Sequence, residues 1–89
     1  MTTYVVTYDL SKPGQQYNDL IEALKGYGTY FHIQQSVWII HSSTTAGQVR
    51  DHLQQYIDSN DKLFVATLSG EAAWIGYDVD DTKWLKDNL

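Results

Sequence analysis

Apolar and polar positions along this chain repeat with two different periods, and the changes of period mark its elements. Tyr4-Val5-Val6-Thr7-Tyr8 is β-branched or aromatic at every position and runs into Asp9-Leu10-Ser11-Lys12-Pro13-Gly14, a cluster of turn formers, which predicts a strand followed by a loop. Between Gln15 and Tyr27 the period becomes helical. Tyr17, Leu20, Ile21 and Leu24 fall at i, i+3, i+4 and i+7, Asp19, Glu22 and Lys25 lie on the opposite face, and Gly28 supplies a C-terminal stop. Thr29 to His41 is strand-like again but too long for one ordinary strand, so it divides into two. A tight turn at Gln34-Gln35 opposes Ile33 to Ser36 and Phe31 to Trp38. That register puts Phe31, Ile33, Trp38 and Ile40 on one sheet face and His32, Val37 and Ile39 on the other.

Ser42-Ser43-Thr44-Thr45 offers N-caps for a second amphipathic helix, in which Ala46, Val49, Leu53, Tyr56 and Ile57 keep helical spacing up to Asp58-Ser59-Asn60-Asp61. Lys62 to Leu68 reads as a fourth strand, Ala72 to Tyr77 as a short fifth one, and Asp81 as the cap of a final helical turn carrying Trp84, Leu85 and Leu89. The order βαββαβ is the split-βαβ pattern of an α+β, ferredoxin-like domain: a four-stranded antiparallel sheet, two helices on one face, and a short C-terminal strand and helix. Residues 1–89 make a single domain, with a core over 1–70 and an extension over 71–89 expected to contact a second copy. A sheet with helices on one face leaves its other face uncovered. In a small domain, that predicts a homodimer closed sheet to sheet, with the extension reaching across.

Composition supports a partner. At 89 residues the chain has no cysteine, hence neither a disulfide nor a thiolate zinc site, so its stability comes from the core or from another subunit. Seven tyrosines, three tryptophans and two phenylalanines are enough to fill a small core and leave some for an interface. The longest apolar run, Val37-Trp38-Ile39-Ile40, is too short to span a bilayer, and Met1-Thr2-Thr3 has no basic residue or long apolar stretch after it, so a cytoplasmic location without membrane contact is expected. Eleven acidic against six basic side chains, a net charge of −5, argue against a broad electrostatic grip on nucleic acid. A local or metal-bridged contact remains compatible with that charge.

Several motifs agree in order with a known family. Tyr4-Val5-Val6-Thr7-Tyr8-Asp9-Leu10-Ser11, a helix closing in Tyr27-Gly28, and Gln35-Ser36-Val37-Trp38 resemble the small CRISPR-associated spacer-acquisition protein Cas2 over roughly residues 3 to 68. The motifs Asp9-Leu10-Ser11-Lys12-Pro13-Gly14, Ser36-Val37-Trp38-Ile39-Ile40, Arg50-Asp51-His52-Leu53, Asp58-Ser59-Asn60-Asp61, Ala72-Ala73-Trp74 and Trp84-Leu85-Lys86 look closer still to small bacterial and phage proteins labelled SinR-like, thought to be relatives of Cas2. The resemblance implies a ferredoxin-like homodimer in which the aspartate ending the first strand, here Asp9, approaches its twin and binds Mg²⁺ or Mn²⁺ for phosphodiester cleavage of RNA or DNA. Paired carboxylates suit such hard cations. Ser11 and Ser36 are candidate supporting residues, and Trp38, Trp74 and Tyr77 candidate interface residues. The chain departs from the family after the first loop, where members that hold nucleic acid place basic residues and this sequence has Gln15-Gln16-Tyr17, with Lys12 the nearest cation. A second function class therefore stands beside the nuclease: a non-catalytic dimeric module that contacts another protein, of the phage–host or toxin–antitoxin type.

The remaining chemistry-bearing residues read more simply. Asp9 also fits an Asx turn with the backbone two residues on. His32, His41 and His52 lack metal-ligand spacing, and Asp58-Ser59-Asn60-Asp61 and Asp78-Val79-Asp80-Asp81 lack the glycine of a calcium loop. Gly26-Tyr27-Gly28 ends a helix and so is no phosphate loop, and Ser42 and Ser43 have no nucleophile elbow around them. The three tryptophans are not interleaved with basic residues, which favours core and interface anchors over base stacking.

Overall fold

A computed structural model describes residues 1–11 and 17–89. Its elements are β1 (Thr2–Asp9), α1 (Asn18–Lys25), β2 (Tyr30–Gln34), β3 (Val37–Ser42), α2 (Ala46–Leu53), β4 (Lys62–Thr67) and α3 (Val79–Asn88). The four strands form one sheet in the order β2-β3-β1-β4, every neighbouring pair antiparallel. Each of the crossovers β1-α1-β2 and β3-α2-β4 therefore skips one strand, and a common handedness puts both helices on the same face, as expected for the ferredoxin-like α+β class.

Local chemistry sets the helix limits. α2 starts at Thr45, whose Oγ1 accepts the Gln48 N–H at 3.1 Å while Gln48 Oε1 accepts the Thr45 N–H at 2.9 Å, a complete capping box. Beyond Leu53 the helix tightens into a 3₁₀ turn, Gln54–Tyr56, short of the expected end at Asp58. α1 ends three residues before Gly28, which takes φ +87°, a left-handed conformation that a Cβ would strain. Its expected start at Gln15 lies outside the described residues. α3 begins earlier than expected: Asp78 Oδ1 accepts the Asp81 N–H at 2.8 Å, so Asp78 is the cap and Asp81 sits in the first turn.

The helix-side face of the sheet carries the main core. Tyr4 and Val6 of β1, Trp38 and Ile40 of β3, Leu20 and Leu24 of α1, and Val49 and Leu53 of α2 are at most 3% exposed. The Trp38 Nε1–H donates to Tyr8 Oη at 3.1 Å and the Tyr4 hydroxyl to the Thr44 carbonyl at 2.6 Å, so the aromatic polar atoms that enter this core find partners.

The β2–β3 hairpin differs from expectation by one residue. Its turn is Gln35-Ser36, and Tyr30 pairs with Ile40 and Phe31 with Ile39, with an irregularity before the Gln34–Val37 pair. A slip of one residue exchanges the faces of a strand. His32 accordingly stacks on Trp38, with ring centroids 4.1 Å apart and planes 12° apart, while Phe31 turns to the opposite face and meets Trp84 at 5.0 Å. The expected fifth strand over Ala72–Tyr77 is absent: residues 71–78 carry no regular secondary structure. They lead instead into α3, which folds back on its own sheet. Leu85 of α3 is 1% exposed, and with Trp74 and Leu89 it closes over Val5, Val37 and Ile39. Much of the sheet face expected to lie bare is thus covered by the same chain, which corrects the argument for a partner built on that bareness.

Candidate functional site

β1 delivers Asp9 to one corner of the sheet. Alternation along the strand sends Tyr4 and Val6 into the helix-side core and leaves Val5, Thr7 and Asp9 on the other face. Val5 lies under the C-terminal segment, whereas Asp9 is exposed. The final ladder pairs are Thr7 with Phe64, Tyr8 with Leu63 and Asp9 with Lys62, and these six residues line a shallow depression. Phe64 is 62% exposed there, a large apolar side chain left mostly in solvent. Among the described residues, the Asp9 side chain takes part in no hydrogen bond or ion pair, and the residue is exposed to solvent.

Next to Asp9, the structure assembles a polar junction. Both the backbone N–H and the hydroxyl of Ser11 donate to Asp61 Oδ1, at 2.7 and 2.8 Å, and the Tyr17 hydroxyl reaches the same oxygen at 3.4 Å. The Asp58 N–H donates to Asp61 Oδ2 at 2.7 Å. The Ser11 N–H above all, with help from Asp58 and the two hydroxyls and against some desolvation, holds the Asp61 carboxyl below the usual carboxylate range. Ser11 thus spends its hydroxyl on Asp61, and Asp61 is the participant that sequence reasoning missed. Asp58-Ser59-Asn60-Asp61 was legible as a turn, and the Asp61 N–H does bond the Asp58 carbonyl at 3.0 Å. Its bond to a residue fifty positions away had no local signal.

The other predicted site residues separate. Ser36 lies at the same corner, where its carbonyl accepts the Tyr8 N–H at 3.1 Å. Trp38, 1% exposed in the helix-side core, has no surface to give a partner, which removes it from the expected interface set. Trp74 and Tyr77 are half-buried on the opposite face and engage their own chain. Trp74 Nε1–H donates to Thr82 Oγ1 at 3.4 Å, and the Tyr77 hydroxyl accepts from Gln34 Nε2 at 3.3 Å. The three histidines are scattered: His32 on Trp38, His52 Nδ1 at 2.9 Å from the Tyr27 hydroxyl, and His41 Nε2 donating to the Asn88 carbonyl at 2.8 Å.

Whether a divalent metal fits can be judged from the donor set. Among the described residues, no group of three or more His, Asp, Glu or Cys side chains converges. One chain offers a solvent-facing carboxylate of the right hardness for Mg²⁺ or Mn²⁺, with Lys62 across the ladder, and thus half a site at most. Among the described residues, no helix is long and apolar enough to cross a membrane. The sequence profile of the family described as CRISPR associated protein Cas2 matches residues 1–74, which span the whole sheet and both helix-side helices and stop short of α3.

Proposed function

The chain belongs to the CRISPR-associated protein Cas2 family, and from that premise we propose that it works as a homodimer in which Asp9 of each copy contributes to one Mg²⁺ or Mn²⁺ site for phosphodiester cleavage of RNA or DNA. The observation that carries this reading is the place of Asp9: exposed, at the end of β1, on the sheet face that α3 leaves open. Two carboxylates brought together repel, and a cation between them relieves that repulsion, so metal and dimer support one another. When bound, the ion would supply positive charge to the phosphate and activate water. The chain's own part is to present the two carboxylates, with Lys62 available to a phosphate oxygen and Phe64 beside it as apolar surface.

The charge balance favours a second reading. With a net charge of −5 and Lys62 the one cation lining the depression among the described residues, the same dimer serves as a non-catalytic module that contacts another protein. Cleavage of labelled single- and double-stranded RNA and DNA with Mg²⁺ or Mn²⁺ separates the two readings, with Asp9→Asn purified in parallel. Metal-dependent cleavage lost in Asp9→Asn establishes the nuclease. Equal activity or equal inactivity of the two proteins leaves the interaction module, and light scattering at a monomer mass of 10.2 kDa removes both.

A further inference from the structure

The backbone around Asp9 has an unusual problem to solve. The Asp9–Lys62 pair is the last rung of the β1–β4 ladder, so the chain leaves the sheet at the residue whose position matters most. Strand ends without further partners fray. Leu10 packs half-buried against the core, but Ser11 is exposed and belongs to no element. Among the described residues its side-chain anchor is Asp61, which takes two hydrogen bonds from it on one oxygen.

The same oxygen also receives the hydroxyl of Tyr17, the residue just before α1. Ser11 and Tyr17 flank the connection from β1 to α1, so one carboxylate gathers both ends of it. The carboxylate is itself oriented, because its second oxygen takes the Asp58 N–H of its own turn at 2.7 Å. Asp61 also immediately precedes Lys62, the ladder partner of Asp9, which ties the anchor to the β4 end of the same corner. A functional side chain needs this kind of support from residues that never touch the ligand, since its placement must hold to a fraction of an ångström.

We propose that Asp61 is a positioning residue: by binding Ser11 and Tyr17 with one carboxylate oxygen, it fixes the segment that leaves β1 and so sets where Asp9 presents its carboxylate. The proposal rests on the metal-binding reading of Asp9 for its consequence, and on the hydrogen bonds for its substance.

Two measurements test it on the full chain, with Asp61→Ala, Asp61→Asn and Ser11→Ala beside the wild type. The first is amide hydrogen exchange of the metal-free protein. The Ser11 amide exchanges at least tenfold faster in Asp61→Ala, while the Val6 and Ile40 amides keep their rates. Ser11→Ala, which removes only one of the donors, gives a smaller loss of protection at position 11 and serves if Asp61→Ala does not fold. The second is the Mn²⁺ dissociation constant from the spin resonance of the free ion, which rises several-fold in Asp61→Ala, less in Asp61→Asn, and most in Asp9→Asn. An unchanged Ser11 rate overturns the proposal, as does equal acceleration across the sheet, which marks a merely structural role. A loosened Ser11 with unchanged, Asp9-dependent Mn²⁺ affinity overturns it too. Mn²⁺ binding that is absent or indifferent to Asp9→Asn defeats the metal reading instead, and the exchange rates then decide whether Asp61 holds the segment.

Discussion

The two faces of the sheet are built on different terms. On the helix side, eight side chains from four elements reach 3% exposure or less, and the aromatic polar atoms buried with them are paired. On the other side, among the described residues, Leu85 alone reaches that depth, at 1%, with Ile39 close behind at 4%, under a single helix that arrives by eleven irregular residues. Past the edge of α3 the face opens altogether, and Asp9 and Phe64 stand there. Folding free energy is concentrated on one face, which frees the other to carry exposed chemistry. The family match draws a similar line, since it takes in the sheet and its helix-side layer and leaves α3 outside.

The contrast predicts its largest effect at Trp38. Trp38→Ala removes the largest fully buried side chain, the ring on which His32 stacks and a hydrogen bond to Tyr8, and is expected to cost about 3–5 kcal/mol. For a domain of this size that is most of the stability, so urea denaturation should find the variant largely unfolded. A loss under about 1 kcal/mol would mean that the helix-side core is not where the fold is held.

Leu85→Ala asks the same question of the opposite face. The expected cost is about 2 kcal/mol, the low end for a buried leucine, because half-exposed neighbours can settle into the gap. Its character should differ as well as its size. Amides of α3, such as the Leu89 N–H bonded to the Leu85 carbonyl, should exchange faster while Val6 and Ile40 stay protected. Uniform acceleration would show that the two faces unfold as one unit.

What could be read from the sequence follows the same division. The helix-side core was legible because Leu20 and Leu24, or Val49 and Leu53, repeat at helical spacing against polar neighbours, and Thr45 was among the caps foreseen. The β2–β3 register was not. Gln35-Ser36 carries no turn signature, and apolar residues occupy both faces of the hairpin, Trp38 and Ile40 on one side and Phe31 and Ile39 on the other, so alternation could not select between neighbouring registers. Phe31 was grouped with Trp38 and Ile40, in place of His32, for that reason. The return of α3 depends on long-range packing of Leu85 and Trp84, which a short local window does not contain. Asp9 was found through its neighbours in sequence. Asp61, joined to Ser11 across fifty positions, had only a turn motif to announce it.

Asp61 also separates the corner from the core by its response to acid. Its carboxyl titrates lower in the folded chain than in the unfolded one, so its contribution is fully present above the ordinary carboxylate range and is lost as pH falls through the folded value. Melting temperatures followed from pH 7 down to about 2 should fall less steeply for Asp61→Asn than for the wild type below about pH 4. Parallel curves would mean that the hydrogen bonds to Ser11 and Asp58 form no better with the ionised group than with the neutral one.

The smallest effect on folding is expected at Phe64, and it discriminates best between the faces. At 62% exposure its ring adds little to the monomer, so Phe64→Glu should change the free energy of unfolding, extrapolated to a protein concentration where the wild type is monomeric, by no more than about 0.5 kcal/mol. In a dimer closed over the open corner, the same substitution buries a carboxylate near Asp9 of each copy, where desolvation and like charge both oppose it. Sedimentation should then show dissociation shifted at least tenfold to higher concentration, with divalent metal restoring part of the loss. If Phe64→Glu dimerises like the wild type, the copies meet elsewhere, and Asp9 would have to find its second carboxylate without the apolar surface that stands next to it.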